Sequence, residues 1–156
     1  MDIFIAEHRQ VLEMLIDNKV DFMLIGGYAV NFHGYNRTTA DMDVWIQPGN
    51  QNKLLLLKAL AALGFDDEGI ATINGWDFEN PQLFSIFEQP LQTEFMTHIS
   101  GVKYEEAKAL VVTADIDGIA LPVIHINSLI QNKKASGRLK DLADAEQLEK
   151  IWQFKK

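Results

Sequence analysis

The chain contains no cysteine, which removes disulfides and thiolate metal ligation from consideration and fits a cytoplasmic protein. It is also short of positive charge: 14 Lys and Arg stand against 22 Asp and Glu, giving a net charge of −8 and a pI near 4.9. A broad electrostatic grip on a nucleic-acid backbone is thereby disfavoured, because such binding needs a basic surface, although a local basic pocket stays open. No stretch approaches the roughly 20 apolar residues that cross a bilayer, so no membrane partner is expected. The first seven residues, with Asp2 and Glu7, are acidic where a secretory leader is basic, and export is not expected. There is no Walker lysine motif, no Gly-x-Ser-x-Gly and no zinc-protease helix. The four histidines, His8, His33, His98 and His125, have no metal-ligand spacing; His125 reads as a strand-end residue. Repeats, low-complexity tracts and Pro/Gly/Ser-rich linkers are missing too, and 156 residues suit one domain, 1–156.

What is present reads as an α/β (α+β) domain with a mixed sheet of about four to six strands flanked by helices. Apolar Val11, Leu12, Leu15 and Ile16 make a helical stripe over residues 7–18. The run Phe22, Met23, Leu24, Ile25 is a buried strand ended by Gly26-Gly27. A short helix over 28–33 follows, closed by Gly34, then a strand over 43–46 stopped by Pro48-Gly49, and a helix over 53–63 ended by Gly64. Strands are read over 70–78, 83–87 and 91–99, and a short helix over 104–109. Asp117-Gly118 signals a hairpin between 111–114 and 119–121. Asn127 or Ser128 caps a helix running to 134, and a last helix covers 139–152.

The chemistry concentrates where Gly26-Gly27 is followed by Arg37, Thr38, Thr39, Asp41 and Asp43. Residues i and i+2 of a strand point to the same side, roughly 6.5–7 Å apart. Asp41 and Asp43 therefore present two carboxylates on one face, toward a glycine turn and a helix start. That suits a divalent cation and phosphate. Tyr28 and Tyr35 flank the segment, and Trp76 and Phe78 are read as either packing or acceptor-pocket residues. Near the C-terminus, Lys133, Lys134, Arg138 and Lys140 gather four of the chain's 14 cations, a second place for phosphate or acceptor contact.

The pattern of apolar strand, Gly-Gly, short helix and Arg-x-Thr-x-Asp-x-Asp resembles the nucleotidyltransferase superfamily with the polymerase-β-like fold. In particular it is similar to small bacterial AbiEii-like and lincosamide-modifying members. The resemblance implies that Asp41, Asp43 and a third carboxylate hold Mg²⁺ (or Mn²⁺) on a nucleoside triphosphate. Glu94 is the acid in the middle of a later apolar strand and takes the third place, where similar proteins more often carry Asp. Gly26, Gly27, Arg37 and Thr39 are then nucleotide-binding residues. Lys134, Arg138 and Asp141 match the Lys-x-x-x-Arg-x-x-Asp stretch of the AbiEii-like proteins, which adds Lys134 and Arg138 to that set. The implied activity is transfer of a nucleoside monophosphate to an acceptor hydroxyl with release of pyrophosphate. The acceptor is left open among small molecule, protein and tRNA, and the lincosamide-type relatives make a homodimer an option. The alternative reading is a non-catalytic binding or regulatory module of the same fold, for example in a toxin–antitoxin-type pair; a metal-dependent phosphate hydrolase is a weaker one.

Overall fold

A computed structural model describes residues 4–39, 41–88 and 92–155. In chain order the elements are α1 (Ala6–Asp17), β1 (Phe22–Ile25), α2 (Gly26–Phe32), β2 (Met42–Ile46), α3 (Asn50–Ala62), α4 (Asp67–Asn74), β3 (Leu83–Ile86), β4 (Thr93–Met96), α5 (Tyr104–Ala109), β5 (Val112–Ile116), β6 (Ile119–Val123), α6 (Ile126–Ser136) and α7 (Leu139–Lys155). The strands form one six-stranded sheet in the order β3-β4-β2-β1-β6-β5. All four residues of β1 are buried, which is why its sequence is unbroken Phe-Met-Leu-Ile rather than alternating. Antiparallel pairing with β2 sets Ile25 opposite Asp43. Parallel pairing of β2 with β4 sets Asp43 opposite Glu94, and β3 closes that side antiparallel to β4. Two acids 51 positions apart thus become lateral neighbours through strand register alone.

The largest fully buried side chains include Trp45, Phe78, Phe95, Leu12, Leu15 and Met23. Two polar groups taken into this core are held by backbone carbonyls: the Trp45 indole donates to the Thr97 carbonyl at 2.9 Å. Lys53 is buried, its ammonium donating to the carbonyls of Asn74 at 2.8 Å and Trp76 at 2.7 Å and lying 5.9 Å above the Phe78 ring. This pins the end of α4 to α3.

The expected strand over 70–78 is instead mostly α4. Its β-branched Ile70, Thr72 and Ile73 favour a strand by propensity, a preference that context overrides. The Asp66 carboxylate accepts from the Gly69 N–H, and Asp67 and Glu68 occupy the first turn, the N-terminal signals that commit the segment to helix. Phe78 is core, and Trp76 packs on Phe84 with ring centroids 5.8 Å apart. Both are packing residues and line neither lobe of the cleft described below. The strand read from residue 91 is described only from Gln92 onward; Leu91 lies outside the described residues. The other expected elements are present within a few residues of their expected ends.

Candidate active site

Two cleft lobes, of about 570 and 450 Å³, meet where β1 ends and β2 and β4 begin, and share Asp43, Glu94, Lys133, Arg138 and Asp141. Gly26, Ile25, Leu83, Met96 and Ile99 contribute to the larger one, which is the more apolar. Gly27, Arg37, Thr38, Thr39, Asp41 and Lys140 line the smaller one. Of the residues singled out by sequence, Gly26, Gly27, Arg37, Thr39, Asp41, Asp43, Glu94 and Arg138 all reach this cleft.

The glycine turn is shaped by what lies against it. Gly26 has φ +67°, and a Cβ there would land on the Asp43 carboxylate, just as one on Gly27 would land on the Thr39 hydroxyl. The backbone of the turn can therefore approach both groups only without side chains of its own. Gly26→Ala is expected to destabilise the chain by about 2 kcal/mol, from left-handed strain plus displacement of Asp43. Gly118→Ala, also at positive φ but with open space around it, is the control that costs only the strain. Thermal unfolding of the two variants makes the comparison.

Asp43 and Glu94 are the electrostatic centre. Burial first, then the Glu94 charge and the hydrogen bond to it, push the Asp43 carboxyl up to about 7; Asp41 adds to the rise and Lys133 opposes it. Two carboxyl groups in contact cannot both stay ionised unless a cation comes between them. Among the described residues, no set of three His, Cys, Asp or Glu side chains is arranged to hold a metal ion by itself. The pair nevertheless fits a divalent cation in charge and donor type, since hard oxygen donors suit Mg²⁺ and Mn²⁺. It lies in the wall of a cleft that leaves room for further ligands from a bound phosphate.

A pH dependence follows. The folded value of about 7 lies above the ordinary 3.8, so the folded chain holds the extra proton more tightly than the unfolded chain. Stability is full below about pH 4 as far as this pair is concerned, and is lost as pH rises toward 7. The loss is on the order of 4 kcal/mol at most. In chelator, the melting temperature is expected to fall between pH 5 and 8, and Mg²⁺ to restore more of it at pH 8 than at pH 5. A flat profile in chelator contradicts this.

Opposite the acids stands a wall of ion pairs. Lys133 is buried, its ammonium 2.9 Å from Asp141 Oδ1 and 3.1 Å from Asp144 Oδ2. Arg37 Nη2 reaches the same Asp144 oxygen at 2.8 Å. Asp141 Oδ2 also accepts from the Ser136 hydroxyl at 2.6 Å and from Arg138 Nε at 3.0 Å. Burial alone raises the Asp141 carboxyl, but the Ser136 and Lys133 hydrogen bonds and the Lys133 and Arg138 charges outweigh it and hold it below the ordinary value. Arg138 is 80% exposed at the rim. Three cations against two carboxylates leave this wall positive, facing the negative one.

Lys134 does not join this group. It is exposed, pairs with Glu149 at 2.7 Å and lies on the outer side of α6. The cleft ammonium is Lys133, which the spacing with Arg138 and Asp141 passed over. Helical periodicity carries the signal: Ile126, Leu129, Ile130 and Lys133 share the buried face of α6, and Lys134 lies about 100° further round. The α6 cap is His125, whose Nδ1 accepts from the Asn127 N–H at 3.0 Å, in place of Asn127 or Ser128. Tyr28 is buried, with its hydroxyl 2.9 Å from His8 Nδ1, and Tyr35 packs against the core. Neither tyrosine lines the cleft.

No family model matches the chain, and no curated protein matches it by sequence. Solved structures do. A Thermotoga maritima protein assigned as a nucleotidyltransferase is similar over 96% of this chain and 91% of its own, at 13% identity and a TM-score of 0.56. The lincosamide antibiotic adenylyltransferase LnuA, in its lincomycin-bound form, is similar over 97% and 99%, at 12% identity and 0.57. The antibiotic-resistance factor ANT(2'')-Ia is similar over 94% and 87%, at 11% identity and 0.56. The chain has the nucleotidyltransferase fold.

Proposed function

We propose that this protein is a metal-dependent nucleotidyltransferase that moves a nucleoside monophosphate from a nucleoside triphosphate to an acceptor hydroxyl. The observation that carries the reading is the half-buried Asp43–Glu94 contact at the junction of two lobes of a cleft, in a chain whose fold is that of nucleotidyltransferases.

In this reading Asp43 and Glu94, with Asp41 beside them, hold Mg²⁺ or Mn²⁺. When bound, the metal neutralises triphosphate charge and polarises the phosphorus–oxygen bonds. The chain's own residues position and shield. The Gly26-Gly27 turn brings backbone close to the phosphates, with the Thr39 hydroxyl beside it. Arg37, Lys133 and Arg138 face the triphosphate from the opposite wall, where their charge is worth most on the departing pyrophosphate. The acceptor oxygen attacks the α-phosphorus, the bond from that phosphorus to the α–β bridging oxygen breaks, and the hydroxyl proton passes to the Glu94 carboxylate. Pyrophosphate carries away the bonding electrons.

The acceptor belongs to the larger, more apolar lobe, and small molecule, protein side chain and tRNA end are separated by assay. A thermal-shift titration with ATP, GTP, CTP and UTP, each with and without Mg²⁺, tests the nucleotide half. At least one triphosphate is expected to raise the melting temperature by several degrees only when Mg²⁺ is present. No shift with any triphosphate and metal favours a non-catalytic regulatory module, a reading to which Glu94 in the third-acid place lends support.

A further inference from the structure

Between Lys58 and Lys103 the chain has no lysine or arginine, and it has seven acids there: Asp66, Asp67, Glu68, Asp77, Glu79, Glu88 and Glu94. This one stretch carries all but one unit of the net charge of −8. Glu94 turns into the cleft. The other six are exposed, and among the described residues none of them forms an ion pair.

The same stretch supplies an edge of the sheet. β3 is the terminal strand, and its partner in the sheet is β4. The Thr97 N–H donates to the Gln82 carbonyl at 3.1 Å, so Gln82 and Thr97 are a hydrogen-bonded pair of the antiparallel ladder. Such pairs alternate with non-bonded ones. Phe84 and Ile86 therefore bond to β4, whereas Leu83 and Ser85 turn their N–H and C=O groups to the open side. Ser85 is exposed, and Leu83 and Phe87 expose 62% and 43% of their surfaces beside this edge.

Open edges in natural sheets are commonly guarded by lysine, by proline within the strand or by a covering element. β3 itself carries none of the first two. The exposed carboxylates that flank it along the chain, Asp77 and Glu79 before it and Glu88 after it, repel a second copy of the same edge, which argues against self-pairing, and they attract a strand of the opposite charge. We propose that the β3 edge docks an extended basic segment of a partner protein by strand addition. The segment's backbone bonds to Leu83 and Ser85, its apolar side chains cover Leu83 and Phe87, and its lysines or arginines face the flanking carboxylates of Asp77, Glu79 and Glu88. Because Leu83 also lines the cleft, a docked segment lies along the cleft rim. The surface goes beyond nucleotide transfer and does not depend on it.

The test uses the ¹⁵N-labelled full chain and four probes: a ten-residue peptide alternating Lys and Val, its Glu and Val counterpart, a proline-interrupted Lys and Val peptide of equal charge, and spermine. The first peptide is expected to shift the amide signals of Leu83 and Ser85, and the acidic one to leave them in place. Ser85→Pro removes an outward N–H and no ladder bond, a position where proline is tolerated; it should weaken binding about tenfold while Mg²⁺–triphosphate binding is unchanged. The paired charge reversals Glu79→Lys and Glu88→Lys should also weaken it. A Lys and Val peptide N-methylated at alternate residues probes the same bonds from the ligand side, whatever Ser85→Pro does to folding. Equal binding by spermine, the interrupted peptide or the N-methylated peptide overturns strand addition, and so does a lack of binding by the Lys and Val peptide.

Discussion

Replacing Asp43 by asparagine is expected to lower nucleotide transfer by about a thousandfold while raising the stability of the metal-free protein. The two effects have one origin. In the folded chain Asp43 is driven up to about 7 by burial and by Glu94, so its ionised form is held against an unfavourable field. On the proposed function, a bound cation would offset that field. Asparagine keeps the shape and an oxygen but loses the charge, which removes several kcal/mol of metal and transition-state stabilisation, a loss that corresponds to about three decades in rate. It also removes the repulsion, so urea denaturation above pH 7 in chelator should show a gain of about 1–3 kcal/mol, and the fall of stability between pH 5 and 8 should flatten. Asp41→Asn should lose activity too. A variant at position 43 that loses stability and keeps transfer contradicts both halves.

Lys133→Met is expected to cost about 3 kcal/mol of folding stability, or roughly 6–12 °C in melting temperature for a chain of this size. The Lys133 side chain is only 9% exposed, its ammonium held between two carboxylates, Asp141 and Asp144, whose side chains are at most 8% exposed. Removing it leaves Asp144 to Arg37 alone and Asp141 to Ser136 and the rim residue Arg138, so two buried anions lose their shared counter-charge. Methionine keeps the length of the stem, so the change isolates the charge. The neighbouring Lys134→Met removes an exposed pair with Glu149 and should move stability by less than about 0.5 kcal/mol. Equal effects of the two substitutions, read by urea denaturation, contradict the assignment of the cleft ammonium to Lys133.

These two lysines show where sequence reading stops. The facing of Asp43 and Glu94 was legible because strand alternation is a rigid period of two: once Val44 and Phe95 are core, both must turn the other way; Asp41 stands one residue before β2 and reaches the cleft outside that alternation. The lateral contact of Asp43 with Glu94 was not legible, since it depends on β2 and β4 pairing in parallel register across a crossover. Lys133 was hidden by choosing a cation through its spacing to Arg138 and Asp141, although the apolar period of α6 singles it out. Asp144 and its bond to Arg37 join the first third of the chain to the last, and no local pattern announces such a link. The helix α4 stands where a strand was expected, because its β-branched residues carry a strand propensity that the Asp66 cap and the acidic first turn override. Gly26-Gly27 reads in sequence as a turn ahead of a helix over 28–33, whereas the two glycines are the first residues of α2; the tight approach of Asp43 and Thr39 that forbids side chains there is a tertiary fact.

The central claim is tested most directly by following the two ends of the triphosphate. The protein is incubated with Mg²⁺ and each nucleoside triphosphate labelled at the α- or the γ-phosphate, together with pools of small hydroxyl compounds, cell protein or tRNA. The expected result is that α-label becomes attached to one acceptor pool while γ-label leaves as pyrophosphate. Both events should require the acceptor and Mg²⁺, and both should be lost in Asp43→Asn. Release of γ-label as inorganic phosphate without an acceptor, or transfer that persists in Asp43→Asn, contradicts nucleotidyl transfer at this site.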